Sequence, residues 1–167
     1  ELLLFSDADA LLNDKAVLYL VKKIQKTRVG AVSGHEIHTY QKKHSAGQGQ
    51  SLFYKLETLI KECLDTLECS LTYVQGGVFL MKKKHYPSTL APGTTQDGTI
   101  AFQCVTNGER VAFEKNAVST EVYDISIIED MIRRQRTITR AFYTILKNPQ
   151  IFKSPIFRYL HQVYPVE

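Results

Sequence analysis

The 167 residues suit one ordinary domain, and a content of 44% apolar and 23% charged residues is near the globular average. That composition excludes wholesale disorder, and no apolar run approaches the ~18 residues that a bilayer-crossing helix needs. The net charge of +4 is uneven: from Arg133 onward seven basic residues stand against one acid, Glu167, for +6, and the fourteen basic and sixteen acidic residues before them give −2.

The chain starts Glu1-Leu2-Leu3-Leu4-Phe5. A short continuous apolar run of this kind suits a strand buried on both faces. A chain that opens inside a core strand, with no signal or transit peptide ahead of it, is expected to be a piece of a longer protein. Ser6-Asp7-Ala8-Asp9-Ala10 ends the run, and Asn13 or Asp14 is placed to cap a helix reaching about Thr27. Val17, Leu20, Val21 and Ile24 follow the i, i+3, i+4, i+7 pattern of its buried face. Residues 29–34 read as the next buried strand, so strand, helix and strand predict a βαβ unit with a parallel sheet.

Residues 35–49 are polar and predict a loop. The pattern after them predicts a long helix over 50–68, with Leu52, Phe53, Leu56, Leu59, Ile60, Cys63 and Leu67 on its apolar face. Residues 71–81 read as a strand interrupted by Gly76-Gly77, and 86–93, with two prolines, as a loop. A helix then runs to Asn107-Gly108, where Gly suits the C′ position. Residues 111–122 predict one or two strands and 126–147 a helix, broken by Asn148-Pro149. The end, 148–167, mixes Ile151, Phe152, Phe157 and Tyr159 with basic residues and reads as an amphipathic segment distinct from the 1–147 body.

Cys63, Cys69 and Cys104 are odd in number and form no CxxC or Cys/His metal spacing. They are expected to be small buried apolar side chains in a reducing compartment. His35, His38, His44, His85 and His161 form no metal-ligand pattern either, although His35 and His38 follow a strand end.

Four groups of residues carry chemistry. Asp7 and Asp9, one residue apart at the carboxyl end of a strand, can converge on a hard cation such as Mg²⁺ or Mn²⁺. The same pair also serves turns and caps. Asp97 sits at a helix start, where the macrodipole favours a carboxylate and an N-cap acid is the plain alternative. Gly76 and Gly77 within a strand suggest a bulge or a close approach to a ligand. Arg133, Arg136 and Arg140 share one helix face, suited to phosphate or simply to solvent. The basic end suggests phosphate or an anionic membrane surface as a partner; no nucleic-acid-binding motif accompanies it.

Taken in order, Leu-Leu-Leu-Phe-Ser-Asp-Ala-Asp-Ala (2–10), Val-Gly-Ala-Val-Ser-Gly (29–34), Gly-Gly-Val-Phe-Leu-Met-Lys-Lys (76–83), Thr-Gln-Asp-Gly (95–98), the 107–118 segment and Arg-Gln-Arg-x-x-x-Arg (134–140) resemble the second half of a family 2 glycosyltransferase of the membrane-bound kind. The resemblance implies an α/β fold: a partial GT-A, Rossmann-like mixed sheet flanked by helices, without the N-terminal nucleotide-binding strands. It implies a metal-dependent, inverting transfer of sugar from a nucleotide-diphosphate donor to a saccharide or lipid-linked acceptor. Asp7 and Asp9 would hold a divalent metal (Mg²⁺ or Mn²⁺) and the diphosphate. Asp97 would be the catalytic base, Gly76 and Gly77 would lie beside donor sugar and acceptor, and Gln135, Arg136 and Arg140 would lie over the diphosphate. It further implies membrane association, with the catalytic part on the cytoplasmic side, through segments beyond this chain. Gln96 stands where the family often has an acid, and Ile138-Thr139 where Arg-Trp would complete the last motif.

Two other readings compete. A haloacid-dehalogenase-type phosphatase also places Asp-x-Asp after an apolar strand, but would need a Thr soon after, where Ala10 and Leu11 stand, and a late acidic pair. A membrane-surface docking domain without catalysis would use the basic end alone.

Overall fold

The computed structural model describes residues 1–40, 46–123 and 127–149. Five strands, β1 (Leu2–Phe5), β2 (Leu11–Leu12), β3 (Val29–Tyr40), β4 (Phe79–Lys82) and β5 (Arg110–Tyr123), form one mixed sheet. Their order is β1-β4-β3-β5-β2. Among the described residues four α-helices accompany them: α1 (Ala16–Ile24), α2 (Ala46–Thr66), α3 (Gln96–Thr106) and α4 (Ile127–Lys147). The expected class, a mixed α/β sheet flanked by helices, is the one observed.

Both faces of the sheet are covered. Against one face pack Ala16, Leu20 and Ile24 of α1, meeting Val29, Val32, Leu80 and Ala112. Against the other pack Ile100, Ala101, Cys104 and Val105 of α3 with Leu64 of α2, meeting Phe79, Met81, Val111 and Phe113. In β4, Phe79 and Met81 point one way and Leu80 the other, so a strand buried on both faces reads as an unbroken apolar run.

Several expectations need correction. β1 and β3 do run the same way, but they are not neighbours, because β4 lies between them and antiparallel to both. The parallel pair is β3 with β5. β1 is an edge strand: Leu3 and Phe5 pack on the core, while Leu2 and Leu4 are exposed, so it is not buried on both faces. The predicted loop at 35–40 is instead the second half of β3. After a register shift between Ser33 and His35 it pairs with β5 from His35↔Val118 to Tyr40↔Tyr123. Its polar residues looked like a loop because their partners lie in a distant strand. Of the predicted strand 71–81, only Phe79–Met81 is strand, in β4, which runs on to Lys82. The preceding segment is irregular and is held by single bonds, Leu71 N to Val111 O at 3.0 Å and Gln75 N to Ser33 Oγ at 2.9 Å.

Neither Asn13 nor Asp14 caps α1; its N-cap is Lys15, without a side-chain hydrogen bond. Asn13 is engaged with β5, donating to Asn116 O (3.0 Å) and accepting from Val118 N (3.2 Å). The α3 C-terminus behaves as expected, with Gly108 at φ +74° just past it. The long helix exists but is rotated from its predicted face. Leu56, Leu59 and Leu67 are 54%, 56% and 63% exposed and Cys63 is exposed, whereas Lys61 is 5% exposed. The inward face combines Leu64 and Ile60, which pack on the core, with Lys61 and Asp65, which meet charged partners. Asp65 accepts from Lys23 Nζ (2.5 Å), Arg110 Nη1 (2.8 Å) and Phe113 N (3.2 Å), joining α2 to α1 and β5. Cys69 and Cys104 are buried as expected. The predicted closing segment lies outside the described residues beyond Pro149.

Candidate functional site

β1 ends at Phe5, and the chain leaves it at once in a tight turn closed by Ala10 N to Asp7 O (3.3 Å). Asp7 and Asp9 both stand exposed on this turn. Ser6 Oγ donates to Gly77 O at 3.0 Å, tying the strand exit to the glycine pair. Each glycine has its own steric reason. A Cβ on Gly76 would lie 2.7 Å from Asp7 Oδ2. A Cβ on Gly77 would collide with Ser119 Oγ and meet Glu36 Cγ at 3.1 Å and Glu121 Oε1 at 3.3 Å. The glycine pair is thus a bare backbone wall with the Asp7 carboxylate on one side and Ser119, Glu36 and Glu121 on the other.

Asp97 enters the same neighbourhood from α3. The cap of that helix is Thr95, whose Oγ1 accepts from Gly98 N at 3.2 Å, so Asp97 is a first-turn acid and not the cap. Burial, and then the charge of Asp7, hold its carboxyl above the usual aspartate range. Glu36 is pushed up to about 7 by burial, then by Glu121 and Asp7. The charge of Asp7 is thus felt at both Asp97 and Glu36, and that of Glu121 at Glu36. A nearby cation is Lys61, which is 2.8 Å from Glu57. Burial lowers the affinity of Lys61 for its proton despite that partner.

The N-terminus of α3 is held in place by α4. Thr95 N donates to Thr144 Oγ1 at 2.8 Å, and Thr144 is 1% exposed. Gln135, Arg136 and Arg140 lie on α4, upstream of that anchor, with exposed side chains. Of the residues singled out from sequence, the structure brings together Asp7, Gly76, Gly77 and Asp97. It sets Asp9 two residues along the same turn, and it leaves Gln135, Arg136 and Arg140 on the helix surface. A separate cleft of about 370 Å³, lined by Tyr86, Thr99, Gln103 and Lys147 among others, contains neither Asp7 nor Asp97.

Sequence reasoning missed Glu36, Lys61, Ser119 and Glu121. One signal was available. Glu36 and His38 alternate, as residues on one face of a strand do, but that alternation counts only once β3 is known to continue past Gly34.

No protein-family model matches the chain, and no curated protein matches it. Its structure is similar to a mannosyltransferase, PcManGT from Pyrobaculum calidifontis, solved in complex with GDP-Man and Mn²⁺. The TM-score is 0.64 at 20% sequence identity, over 96% of this chain and 45% of that one. The chain has a glycosyltransferase fold. It spans less than half the length of that mannosyltransferase chain. Within this glycosyltransferase fold, Asp7 and Asp9 follow an edge strand and Asp97 opens the helix that covers the opposite face from α1. Among the described residues, no helix is long and apolar enough to cross a membrane.

Proposed function

We propose that the chain is part of a family 2-like, inverting glycosyltransferase that moves a sugar from a nucleotide-diphosphate donor to an acceptor hydroxyl. The observation that carries this reading is the seating of Asp7 against Gly76 at the exit of β1, with Asp97 near enough to feel the Asp7 charge, in a chain with a glycosyltransferase fold. The similar mannosyltransferase was solved with GDP-Man and Mn²⁺, which supports a nucleotide-sugar donor and a divalent metal (Mg²⁺ or Mn²⁺) here.

The residues fit such a metal. Asp7 and Asp9 are exposed, close in sequence and unencumbered by side chains at Gly76, so their oxygens are open to a cation. When bound, the metal would neutralise charge gathering on the departing diphosphate. Asp7 and Asp9 would hold the metal and orient the diphosphate. Gly76 and Gly77 would let the sugar approach the backbone. Asp97 would take the proton of the acceptor hydroxyl, and its raised carboxyl brings a weak base nearer the strength this requires. Arg136 and Arg140, with Gln135, would close over the phosphates.

Exposed Ile138 and Phe142 beside Arg136 and Arg140 on α4 suit an anionic membrane surface as a further proposed partner. A cytoplasmic placement of the catalytic part is proposed from the family resemblance alone. The 167-residue chain alone is proposed to be inactive or nearly so. The deciding experiment assays sugar transfer and donor binding by the longer protein carrying Asp97→Asn. Transfer is expected to vanish while donor binding persists; loss of donor binding with it removes Asp97 from the role of base. Robust transfer by the isolated chain overturns the proposal of inactivity.

A further inference from the structure

Across Gly77 from the Asp7 turn, three side chains with metal-binding atoms converge from two strands. Glu36 and His38 alternate along β3 and so lie on one face of it. Parallel pairing sets Glu36 opposite Ser119 and His38 opposite Glu121. One ligand atom each from Glu36, His38 and Glu121 lies within 4.8 Å of the others, and His38 Nε2 is 3.2 Å from Glu36 Oε1. The cluster is internal: the side chains of His38 and Glu36 are 7% and 13% exposed, and Glu121 is 5% exposed.

A second, independent observation points to a ligand. Ser119 is fully buried, and its hydroxyl has no hydrogen-bond partner among the described residues. That hydroxyl, the Glu36 side chain and Glu121 Oε1 all border the small space that a Gly77 side chain would fill. It is therefore aimed into the cluster. Charge leads the same way. Glu36 and Glu121 face each other with Asp7 nearby, and a cation close to them, Lys61, is already shared with Glu57. Two buried carboxylates facing each other are stabilised by a cation held between them.

We propose that Glu36, His38 and Glu121 form a second divalent-cation site, separate from Asp7 and Asp9, with Ser119 Oγ as an additional donor. One imidazole with two carboxylates selects a transition metal such as Zn²⁺, Mn²⁺ or Co²⁺ over Mg²⁺, since Mg²⁺ takes oxygen ligands almost alone. Ligand bonds of about 2.1 Å bring ligand atoms to roughly 3–3.5 Å from one another, a contraction that small side-chain rotations supply. The ion would clamp β3 to β5 beneath the glycine pair. It would stiffen the floor on which Asp7 and Asp97 meet without touching the reacting groups. This assignment does not depend on the chain transferring sugar.

The test uses Co²⁺ alone and the full chain carrying Asp7→Asn and Asp9→Asn. One equivalent of Co²⁺ is expected to bind, with visible absorption and with paramagnetic shifts of the His38 ring protons. Adding Glu36→Gln and Glu121→Gln is expected to weaken binding at least 100-fold. No saturable Co²⁺ binding in the Asp7→Asn/Asp9→Asn chain overturns the proposal, as does binding that shifts other histidines but leaves His38 unmoved. Should the quadruple variant lose its far-UV circular dichroism, the His38 shifts in the double variant decide the matter by themselves.

Discussion

A methyl group on Gly76 would stand 2.7 Å from the Asp7 carboxylate. The two residues are far apart in sequence, and the contact makes the orientation of Asp7 depend on the absence of a side chain at position 76. Gly76→Ala is therefore expected to turn Asp7 aside and weaken Mn²⁺ binding about ten-fold, with the fold retained because Asp7 is exposed and can move. Gly77→Ala meets the fully buried Ser119 instead, and such overpacking costs ~1–3 kcal/mol. Mn²⁺ titration and urea unfolding of both variants separate the two effects.

Asp97 and Asp7 are coupled by charge. Burial is the larger reason for the raised Asp97 carboxyl and Asp7 the second, so removing the Asp7 charge must lower it. In Asp7→Asn, the carboxyl carbon resonance of Asp97 is expected to titrate at lower pH than in the unaltered chain. An unchanged titration would mean that the two groups do not sense each other.

Asp65 and the outer leucines of α2 offer a contrast on a single helix. Asp65→Asn leaves the buried Arg110 and the half-buried Lys23 without their carboxylate; breaking a fully buried pair from one side costs ~3–5 kcal/mol, and the partial exposure of Asp65 and Lys23 places this loss below that range. Leu56→Gln with Leu59→Gln touches only exposed positions and is expected to change stability by no more than about 0.5 kcal/mol. Urea unfolding measures both. A large loss in the leucine variant would mean that the apolar face, and not the charged one, holds the helix.

Glu109 makes stability depend on acid. Burial alone would raise its carboxyl, but hydrogen bonds from Lys84, His85 and Lys82 outweigh that and bring it from the ordinary 4.5 down to about 2. A depressed carboxyl stabilises the fold fully above its unfolded pKa and loses that contribution as pH falls toward the folded one. Unfolding midpoints are thus expected to drop from about pH 4.5 toward pH 2. In Glu109→Gln the midpoint at neutral pH should be lower and that acid-range decline shallower.

Thr144 joins α4 to the start of α3. Thr144→Val removes the acceptor of the half-buried Thr95 N–H and is expected to cost about 1 kcal/mol, whereas Thr144→Ser keeps it. Equal unfolding midpoints for the two variants would count against the bond as the anchor of the Asp97 helix.

Much of this was legible in the residues themselves. Leu2–Phe5 ending at Asp7-x-Asp9, the α3 segment bounded by Thr95 and Gly108, and the long basic helix of α4 are local patterns, and each formed where it was expected. The candidate acids Asp7 and Asp97 could be named because special residue types stood at element ends. Glu36, Ser119 and Glu121 could not. Glu36 lies in a stretch that reads as polar loop, and Ser119 and Glu121, although in a predicted strand, gain a shared neighbourhood only once β3 and β5 are laid side by side.

Local residue order was enough for most element types, the α/β class and the short list of acids, since periodicity and end signals act within a few residues; the mixed character of the sheet came only from the family resemblance. Long-range packing was needed for the insertion of β4 between β1 and β3, the inward turn of the charged face of α2, and the meeting of Asp7 with Gly76 and Asp97. These depend on partners tens of residues away. For α2 the reason is explicit: Asp65 holds Lys23, Arg110 and the Phe113 amide and turns inward beside Leu64, which leaves Leu56, Leu59 and Leu67 exposed.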